Sequence, residues 1–327
     1  MRQSAEGQRV ACLGVGVIGA SWATNFALEG CEVALYDISQ DSVDRAMEHV
    51  RHDLDFLVTQ EILFPDTADR CFARLHPTTD LAEALKDVRL IQESGPEHYE
   101  AKHKILEQVD RYAPPDAIFA SSTSGLLITE IARGTRYPER CVGAHPYNPP
   151  HLIPLVELTR GEQTSEECLQ WAYQFYQSLH KEPIILQKEC LGFISNRLQL
   201  ALSREGADLI MRGVCTVEDI DKAVTYGPGL RWAFLGPYLL MELASSQGGF
   251  VVADEHFRSS AQLWLKDMAK WEAYPDRWSE VAQTQIYDEM AHRPAEQGNN
   301  AAEIMEYRDR MLIELLKLHK KLHQRSR

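Results

Sequence analysis

Short apolar runs alternate with stretches of helical spacing through the first half of the chain. The runs Arg9–Leu13 and Glu32–Tyr36 have the continuous apolar character of strands buried in a parallel sheet. Between them, residues 18–29 have helical spacing and end at Gly30, a residue type that commonly terminates helices. The pattern therefore predicts a βαβ unit at the start of the chain.

The same alternation continues to about residue 188, after which only helical spacing remains. Further strands are predicted at 88–91, 117–120, 141–144, 155–158 and 184–186, and helices at 39–52, 81–85, 99–111, 127–132 and 165–178. Later helices are predicted at 194–211, 217–224 and 305–322. This order indicates an α/β fold with a Rossmann-type doubly wound sheet, followed by an all-helical C-terminal domain. We predict a Rossmann-like domain at 1–189 and a helical domain for substrate binding and dimerisation at 190–327.

Composition limits the classes of partner. The formal net charge of −14 argues against nucleic acid and anionic membrane surfaces, which favour basic patches. The polar start of the chain carries no signal peptide pattern, and no apolar run is long enough to span a bilayer. The seven cysteines are dispersed without a C-x-x-C pair, so we expect reduced thiols and no metal site. These features predict a cytoplasmic protein that acts on a small molecule.

The turn after the first predicted strand carries the pattern G-x-G-x-x-G. Its members are Gly14, Gly16, Val17, Ile18 and Gly19. The first glycine permits a tight turn, the second lets the backbone approach a pyrophosphate, and the third allows close packing of helix on sheet. Asp37, after the second strand, can accept hydrogen bonds from a ribose 2′-hydroxyl and would repel a 2′-phosphate. The motif predicts NAD rather than NADP, with a purely structural turn as the alternative.

Polar residues lie where the predicted strands end, the usual position of a ligand crevice in an open α/β sheet. Ser124 and His145 each follow a strand, Glu157 lies on the next strand, and Asn196 opens the first helix of the second domain. Histidine titrates near neutral pH and can take the proton of an alcohol that is being oxidised. A buried carboxylate on its other ring nitrogen would fix the tautomer and stabilise the imidazolium. A histidine with only structural hydrogen bonds is the alternative.

In this order, the residues resemble the L-3-hydroxyacyl-CoA dehydrogenases and their relatives that act on short acids. The resemblance covers about residues 9–243 and rests on Ser-Ser-Thr-Ser-Gly at 121–125, His-Pro-Tyr-Asn-Pro at 145–149, Glu157, and Gly-Phe-Ile-Ser-Asn-Arg at 192–197. It implies that His145 is the general base and that Glu157 orients it. It also implies that Ser124 and Asn196 hold substrate oxygens, with Ser124 facing the cofactor as well, and that the enzyme is a homodimer.

Three further residues match positions of this family. Glu93 and Lys102 match positions near the cofactor crevice, with surface charge as the alternative interpretation. Asn148 is a candidate substrate contact, with the capping of a turn as an equal alternative.

The second half of the chain departs from the acyl-CoA enzymes. Residues 227–237 differ from their usual sequence, and the glycine-rich G-x-G-F-Y segment is missing. Both departures resemble the L-gulonate 3-dehydrogenase (lambda-crystallin) and L-carnitine dehydrogenase branches. Arg231 is expected to bind a free carboxylate, which a CoA thioester lacks, with a helix-capping or interdomain arginine as the alternative. Trp232 is a candidate substrate contact that, with Phe234 and Tyr238, can form an aromatic box for a trimethylammonium group, or else lies in the core.

We therefore expect NAD-dependent oxidation of the 3-hydroxyl of a small acid of the L-gulonate type. L-Carnitine and L-3-hydroxyacyl-CoA are the alternative substrates. An NAD-binding structural protein of the crystallin kind is the alternative from another class.

Overall fold

The computed structural model describes residues 5–244 and 249–320. The strands are β1 (Arg9–Leu13), β2 (Glu32–Tyr36), β3 (Leu75–Thr78), β4 (Leu90–Glu93), β5 (Ile118–Ser121), β6 (Cys141–Pro146), β7 (Leu155–Arg160) and β8 (Glu182–Ile185). The helices of the first part are α1 (Val17–Leu28), α2 (Gln40–Thr59), α3 (Pro65–Phe72), α4 (Leu81–Ala84), α5 (Tyr99–Tyr112), α6 (Ile128–Ile131) and α7 (Glu166–Ser178). Those that follow are α8 (Ser195–Met211), α9 (Val217–Thr225), α10 (Pro228–Trp232), α11 (Pro237–Glu242), α12 (Gly249–Asp267), α13 (Trp278–His292) and α14 (Ala301–Leu318).

The strands form one sheet in the order β3-β2-β1-β4-β5-β6-β7-β8. Neighbouring strands pair in parallel, except for the antiparallel pair β6 and β7. Alternate residues of β1 enter two different core clusters, because successive side chains of a strand point to opposite faces. Val10 and Cys12 pack with α1, α2 and α7, whereas Ala11 and Leu13 pack with α5 and α6. Helices therefore cover both faces, and the predicted doubly wound α/β fold is confirmed.

Among the described residues, the structure adds six α-helices and strands that the sequence pattern does not predict: α3 and β3 early in the chain, and α10, α11, α12 and α13 between residues 228 and 292. In β3 only Leu75 is buried, while His76 and Pro77 are exposed, so this edge strand has no apolar run. The predicted strand at 88–91 lies instead at Leu90–Glu93, where the two final residues are polar and fully buried. Burial of polar side chains cannot be read from hydrophobic periodicity, and for this reason the strand was placed too early.

The chain divides into two compact units. One holds the described residues up to Asn196 together with those from Arg310 onward, and the other holds Arg197–Asp309. The described residues of the second unit form helices and loops, without a strand. The domain boundaries expected from the sequence stay a prediction, and residues 321–322 of the predicted last helix lie outside the described residues. In the described ranges, no helix is both long and apolar enough to cross a membrane.

Candidate active site

The glycine turn between β1 and α1 is packed tightly on its protein side and open on the other. A Cβ added to Gly14, whose φ is 82°, would lie 2.8 Å from the carbonyl oxygen of Ser94, and one added to Gly19 would lie 2.0 Å from the carbonyl oxygen of Gly14. A Cβ added to Gly16 would meet no atom within 4 Å. Only the middle glycine therefore faces free space, which is where a pyrophosphate would approach the backbone.

Helix α1 begins beside that space. Its N-cap is Gly16, and no side chain caps it. The first-turn N–H groups, including those of Val17 and Ile18, have no partner one turn earlier, because an α-helix leaves these donors unpaired. The positive end of the helix dipole and these donors suit phosphate oxygens.

Asp37 follows β2 and is tied to the same turn. Its Oδ2 accepts a hydrogen bond from the N–H of Val15 at 3.2 Å, and the side chain is half-buried. The bond fixes one carboxylate oxygen beside the glycine turn, and the contact of Asp37 with a ribose stays a prediction. The glycines, the uncapped helix and this carboxylate together fit NAD.

Glu93 and Lys102 form a buried ion pair at the end of β4. The Nζ atom of Lys102 lies 2.9 and 3.0 Å from the two carboxylate oxygens of Glu93, and both side chains are almost fully buried. Ser121 and Gly95 donate further hydrogen bonds to Glu93, at 2.5 and 2.6 Å. The surface-charge interpretation of the pair is therefore wrong. Its role near the cofactor stays a prediction.

The sequence analysis did not single out Glu97, which joins this ion pair to the serine loop after β5. Its Oε1 accepts hydrogen bonds of 2.7 Å from the N–H of Ser124 and from the hydroxyl of Thr123. Its Oε2 lies 3.4 Å from Nζ of Lys102. The available signal was an acidic residue two positions before α5, the helix that carries Lys102.

His145 and Glu157 are direct partners across the antiparallel strands β6 and β7. Residues opposite each other in such a pair share a face of the sheet, and the Nδ1 atom of His145 lies 2.8 Å from Oε2 of Glu157. Both side chains are buried, and Phe193 presents its ring edge-on to the imidazole with the centroids 5.7 Å apart. The Nε2 atom of His145 has no hydrogen-bond partner among the described residues. The ring is thus held at one nitrogen, while the other is left for a ligand.

The start of α8 supplies the remaining donors to Glu157. The N–H groups of Ile194 and Ser195 donate to Oε1 at 3.0 and 2.9 Å, and the Ser195 hydroxyl donates to Oε2 at 2.5 Å. Burial raises the pKa of Glu157, but the hydrogen bonds from His145 and Ser195 outweigh it, so the pKa lies below its usual value. A carboxylate held in this way stays charged and can stabilise an imidazolium.

The structure brings Ser124 and Asn196 together as well. The side-chain amide of Asn196 donates a 2.8 Å hydrogen bond to the backbone carbonyl oxygen of Ser124. The residue Ser124 is exposed. Asn148 is exposed on the loop after β6. Its side chain has no hydrogen bond to another described residue, so the structure favours neither the ligand contact nor the turn cap.

Arg231 and Trp232 belong to the second unit, at the end of α10, and both are exposed. Phe234 and Tyr238 are exposed too, at 54% and 78%. The core interpretation of these aromatic residues is therefore wrong. Their contact with substrate stays a prediction. The described residues contain no group of three or more His, Cys, Asp or Glu side chains that could hold a metal ion.

The glycine turn, the tethered carboxylate and the His–Glu pair at the strand ends define a Rossmann-type NAD-dependent dehydrogenase. The chain matches the NAD binding domain of 3-hydroxyacyl-CoA dehydrogenase over residues 9–190, and the C-terminal domain over residues 192–282. It belongs to this family. The match confirms the resemblance, the predicted cofactor and the predicted class, an NAD-dependent oxidoreductase that acts on CH–OH groups, and it does not favour the structural-protein alternative.

Individual relatives carry narrower names. An L-carnitine dehydrogenase of Oceanobacillus iheyensis is 41% identical over 263 residues, which cover 79% of this chain and 83% of that protein. A 3-hydroxyacyl-CoA dehydrogenase of Gibberella moniliformis is 35% identical over 320 residues, covering 97% and 96%. The solved structure of an NAD+-dependent 5-formyl-3-hydroxy-2-methylpyridine 4-carboxylic acid 5-dehydrogenase has a TM-score of 0.79 and 26% identity, and the match covers 98% of this chain and all of that one.

Proposed function

We propose that this enzyme oxidises the 3-hydroxyl group of L-carnitine to the ketone, with NAD+ as the oxidant. The observation that carries the oxidation is the buried contact between His145 and Glu157. The choice of substrate is supported by relatives named L-carnitine dehydrogenase, which are 41% and 37% identical to this chain. These names favour carnitine over the gulonate-type acid expected from the sequence.

In this proposal His145 is the general base. Its Nδ1 is engaged by Glu157, so Nε2 takes the proton of the substrate hydroxyl. When bound, NAD+ supplies the acceptor for the hydride that leaves C3. Glu157 keeps the ring oriented and stabilises the imidazolium that forms, without taking the proton itself.

The other predicted residues hold the reactants. Ser124 and Asn196 bind the substrate oxygen. The hydrogen bond between the Asn196 amide and the Ser124 carbonyl supports this assignment, because it joins the serine loop to the start of α8 and so holds the two residues together. Asn148 is a further substrate contact on the loop that follows His145. The glycine turn and Asp37 bind the cofactor. The buried pair Glu93–Lys102 supports the loop beside the cofactor.

The two ends of carnitine require opposite chemistry. Its carboxylate suits the guanidinium of Arg231, which can form two parallel hydrogen bonds with it. Its trimethylammonium group suits the aromatic faces of Trp232, Phe234 and Tyr238, which attract a cation through their ring quadrupoles. The exposure of all four side chains supports this assignment, because a buried residue would not be available to a ligand. The homodimer and the cytoplasmic location expected from the sequence remain part of the proposal.

A substrate panel tests the proposal. NADH formation is followed at 340 nm with L-carnitine, D-carnitine, L-gulonate and L-3-hydroxybutyryl-CoA. We expect kcat/KM for L-carnitine to exceed that for each other compound by at least about tenfold, which corresponds to about 1.4 kcal/mol. A higher value for L-gulonate or for the CoA thioester would overturn the choice of substrate.

One variant and its control then test whether Arg231 binds the carboxylate of the substrate. Arg231→Met should raise KM for L-carnitine by about tenfold or more, because a hydrogen bond to a charged group contributes about 1.5–3 kcal/mol. The matched control is Arg258→Met, which removes an exposed arginine of the same unit that is paired with Asp254. Equal KM values for the two variants would remove Arg231 from the site.

A further inference from the structure

The loop at residues 147–154 joins the strand that carries His145 to the strand that carries Glu157. It also carries Asn148, and its Tyr147 ring packs edge-on to the His145 ring with the centroids 6.4 Å apart. A loop of this kind is usually exposed and mobile. Here two buried basic side chains hold the loop: Lys181, which precedes β8, donates to its backbone, and His151, a residue of the loop, contacts α1 and α2.

Lys181 is the first of these side chains. Its ammonium group donates hydrogen bonds to the carbonyl oxygens of Pro150 and, at 3.2 Å, of Ile153. The residue is only 6% exposed, and its Nζ lies 5.5 Å from the ring centroid of Trp22 on α1. A buried ammonium group needs such acceptors, so Lys181 and the loop carbonyls require each other.

His151 is the second. The ring Nδ1 of His151 lies 2.8 Å from the hydroxyl oxygen of Ser21 on α1 and 3.3 Å from Oδ2 of Asp53 on α2. The backbone N–H of His151 donates to the same Ser21 oxygen at 3.0 Å. Asp53 is 6% exposed and also accepts a 2.9 Å hydrogen bond from the hydroxyl of Thr24. The loop is therefore bonded to α1 and α2 as well as to Lys181.

We infer that Lys181 and His151 are positioning residues that hold the 147–154 loop, and with it Asn148 and the His145–Glu157 strand pair, in the geometry that binds substrate. Neither residue touches the His145–Glu157 pair in the described structure, so their effect passes through the loop backbone. This inference rests on the proposed function of the site. Because a displacement of about 1 Å at a reacting centre can lower a rate about a hundredfold, a loosened loop should impair turnover far more than cofactor binding.

Lys181→Met tests the inference, because methionine keeps most of the aliphatic stem and loses the three donors. Arg140→Met is the matched control. Arg140 is 4% exposed and donates to the carbonyl oxygen of Pro114 at 2.7 Å and to Asp110 at 3.0 Å, so it too is a buried cation that holds a loop. It lies immediately before β6, at the opposite end of that strand from residues 147–154. Ser21→Ala is a milder second variant, because it removes only the hydroxyl that contacts His151.

Four readouts are compared: the steady-state constants, the Kd for NADH, the melting temperature and amide hydrogen exchange. The kinetics use whichever compound of the panel the wild type oxidises. We expect Lys181→Met and Ser21→Ala to raise the substrate KM and to lower kcat/KM by about 10- to 100-fold, with the Kd for NADH within about twofold of wild type. Arg140→Met should lower the melting temperature and leave both kinetic constants within about twofold. Hydrogen exchange should accelerate at the amides of Leu152 and Ile153, which donate to the carbonyl oxygen of Pro149, in the first two variants only.

The outcomes separate the two proposals. If the wild type oxidises a different acid, the choice of carnitine fails while the loop inference is still tested by that acid. If the wild type oxidises none, the proposed function fails, and the exchange rates alone decide whether Lys181 and the contact of His151 with Ser21 hold the loop. Unchanged kinetics and unchanged exchange in folded Ser21→Ala and Lys181→Met would overturn the inference. So would an equal loss of kcat/KM in Arg140→Met.

Discussion

The hydroxyl of Ser195 donates a 2.5 Å hydrogen bond to Oε2 of Glu157, the carboxylate oxygen that also contacts the His145 ring. Ser195→Ala removes this donor and leaves a buried charged acceptor with one bond fewer. We expect the free energy of unfolding to fall by about 1.5–3 kcal/mol and kcat to fall by about tenfold. Urea denaturation and steady-state kinetics check both values. The control is Ser178→Ala, whose hydroxyl donates only to the carbonyl oxygen of Phe175 among the described residues; an equal loss in this control would contradict the prediction.

Stability should fall in acid because of Glu157. Burial raises the pKa of Glu157, but the bonds from His145 and Ser195 bring it below its usual value. A lowered folded-state pKa gives stability that is fully present above the unfolded pKa of about 4.3 and is lost as the pH falls through the folded pKa. Glu157→Gln should lose less stability than wild type between about pH 5 and pH 3. Urea titrations over this range measure the difference, and parallel curves for the two proteins would refute it.

Two substitutions in the glycine turn should fail for different reasons. A Cβ at position 19 would lie 2.0 Å from a carbonyl oxygen, so Gly19→Ala should destabilise the fold by about 1–3 kcal/mol or more. A Cβ at position 16 would meet no protein atom, so Gly16→Ala should fold normally yet weaken NADH binding, because the methyl group occupies the space left for the pyrophosphate. Thermal melts and fluorescence titration with NADH separate the two effects. Normal NADH affinity in Gly16→Ala would place the cofactor elsewhere.

The choice of NAD over NADP should depend on the charge of Asp37. Asp37→Asn keeps an oxygen that can accept the N–H of Val15, and it removes the charge that repels a 2′-phosphate. We expect the ratio of kcat/KM for NAD+ to that for NADP+ to fall by about tenfold, measured with one substrate. Asp41→Asn, an exposed change in the first turn of α2, serves as control. A constant ratio in Asp37→Asn would exclude the predicted ribose contact.

Much of the fold was predictable because its signals are local. Apolar runs such as Arg9–Leu13 mark strands buried on both faces, and glycines mark their ends. The edge strand β3 was missed because an edge strand needs little apolar surface, and Leu75 is its one buried residue.

The candidate site was predictable only where its residues form a motif. The order of His145, Glu157 and Asn196 is visible in the sequence, and the cross-strand register then places the first two in contact. The residues that surround this motif in the folded protein could not be predicted from the sequence. Nothing in the sequence shows that Lys102 is buried or that Glu97 holds the serine loop, since charged residues are normally exposed and these contacts form only in the tertiary structure.

The most direct test of the account is NADH formation by His145→Asn. Loss of a general base lowers a rate by about 10²–10⁴, so we expect kcat for the 3-hydroxy acid to fall by this factor while the Kd for NADH stays unchanged. His180→Asn is the control, because His180 is exposed and its φ of 57° suits asparagine. A kcat in His145→Asn equal to that of wild type would contradict the assignment of His145 as the base.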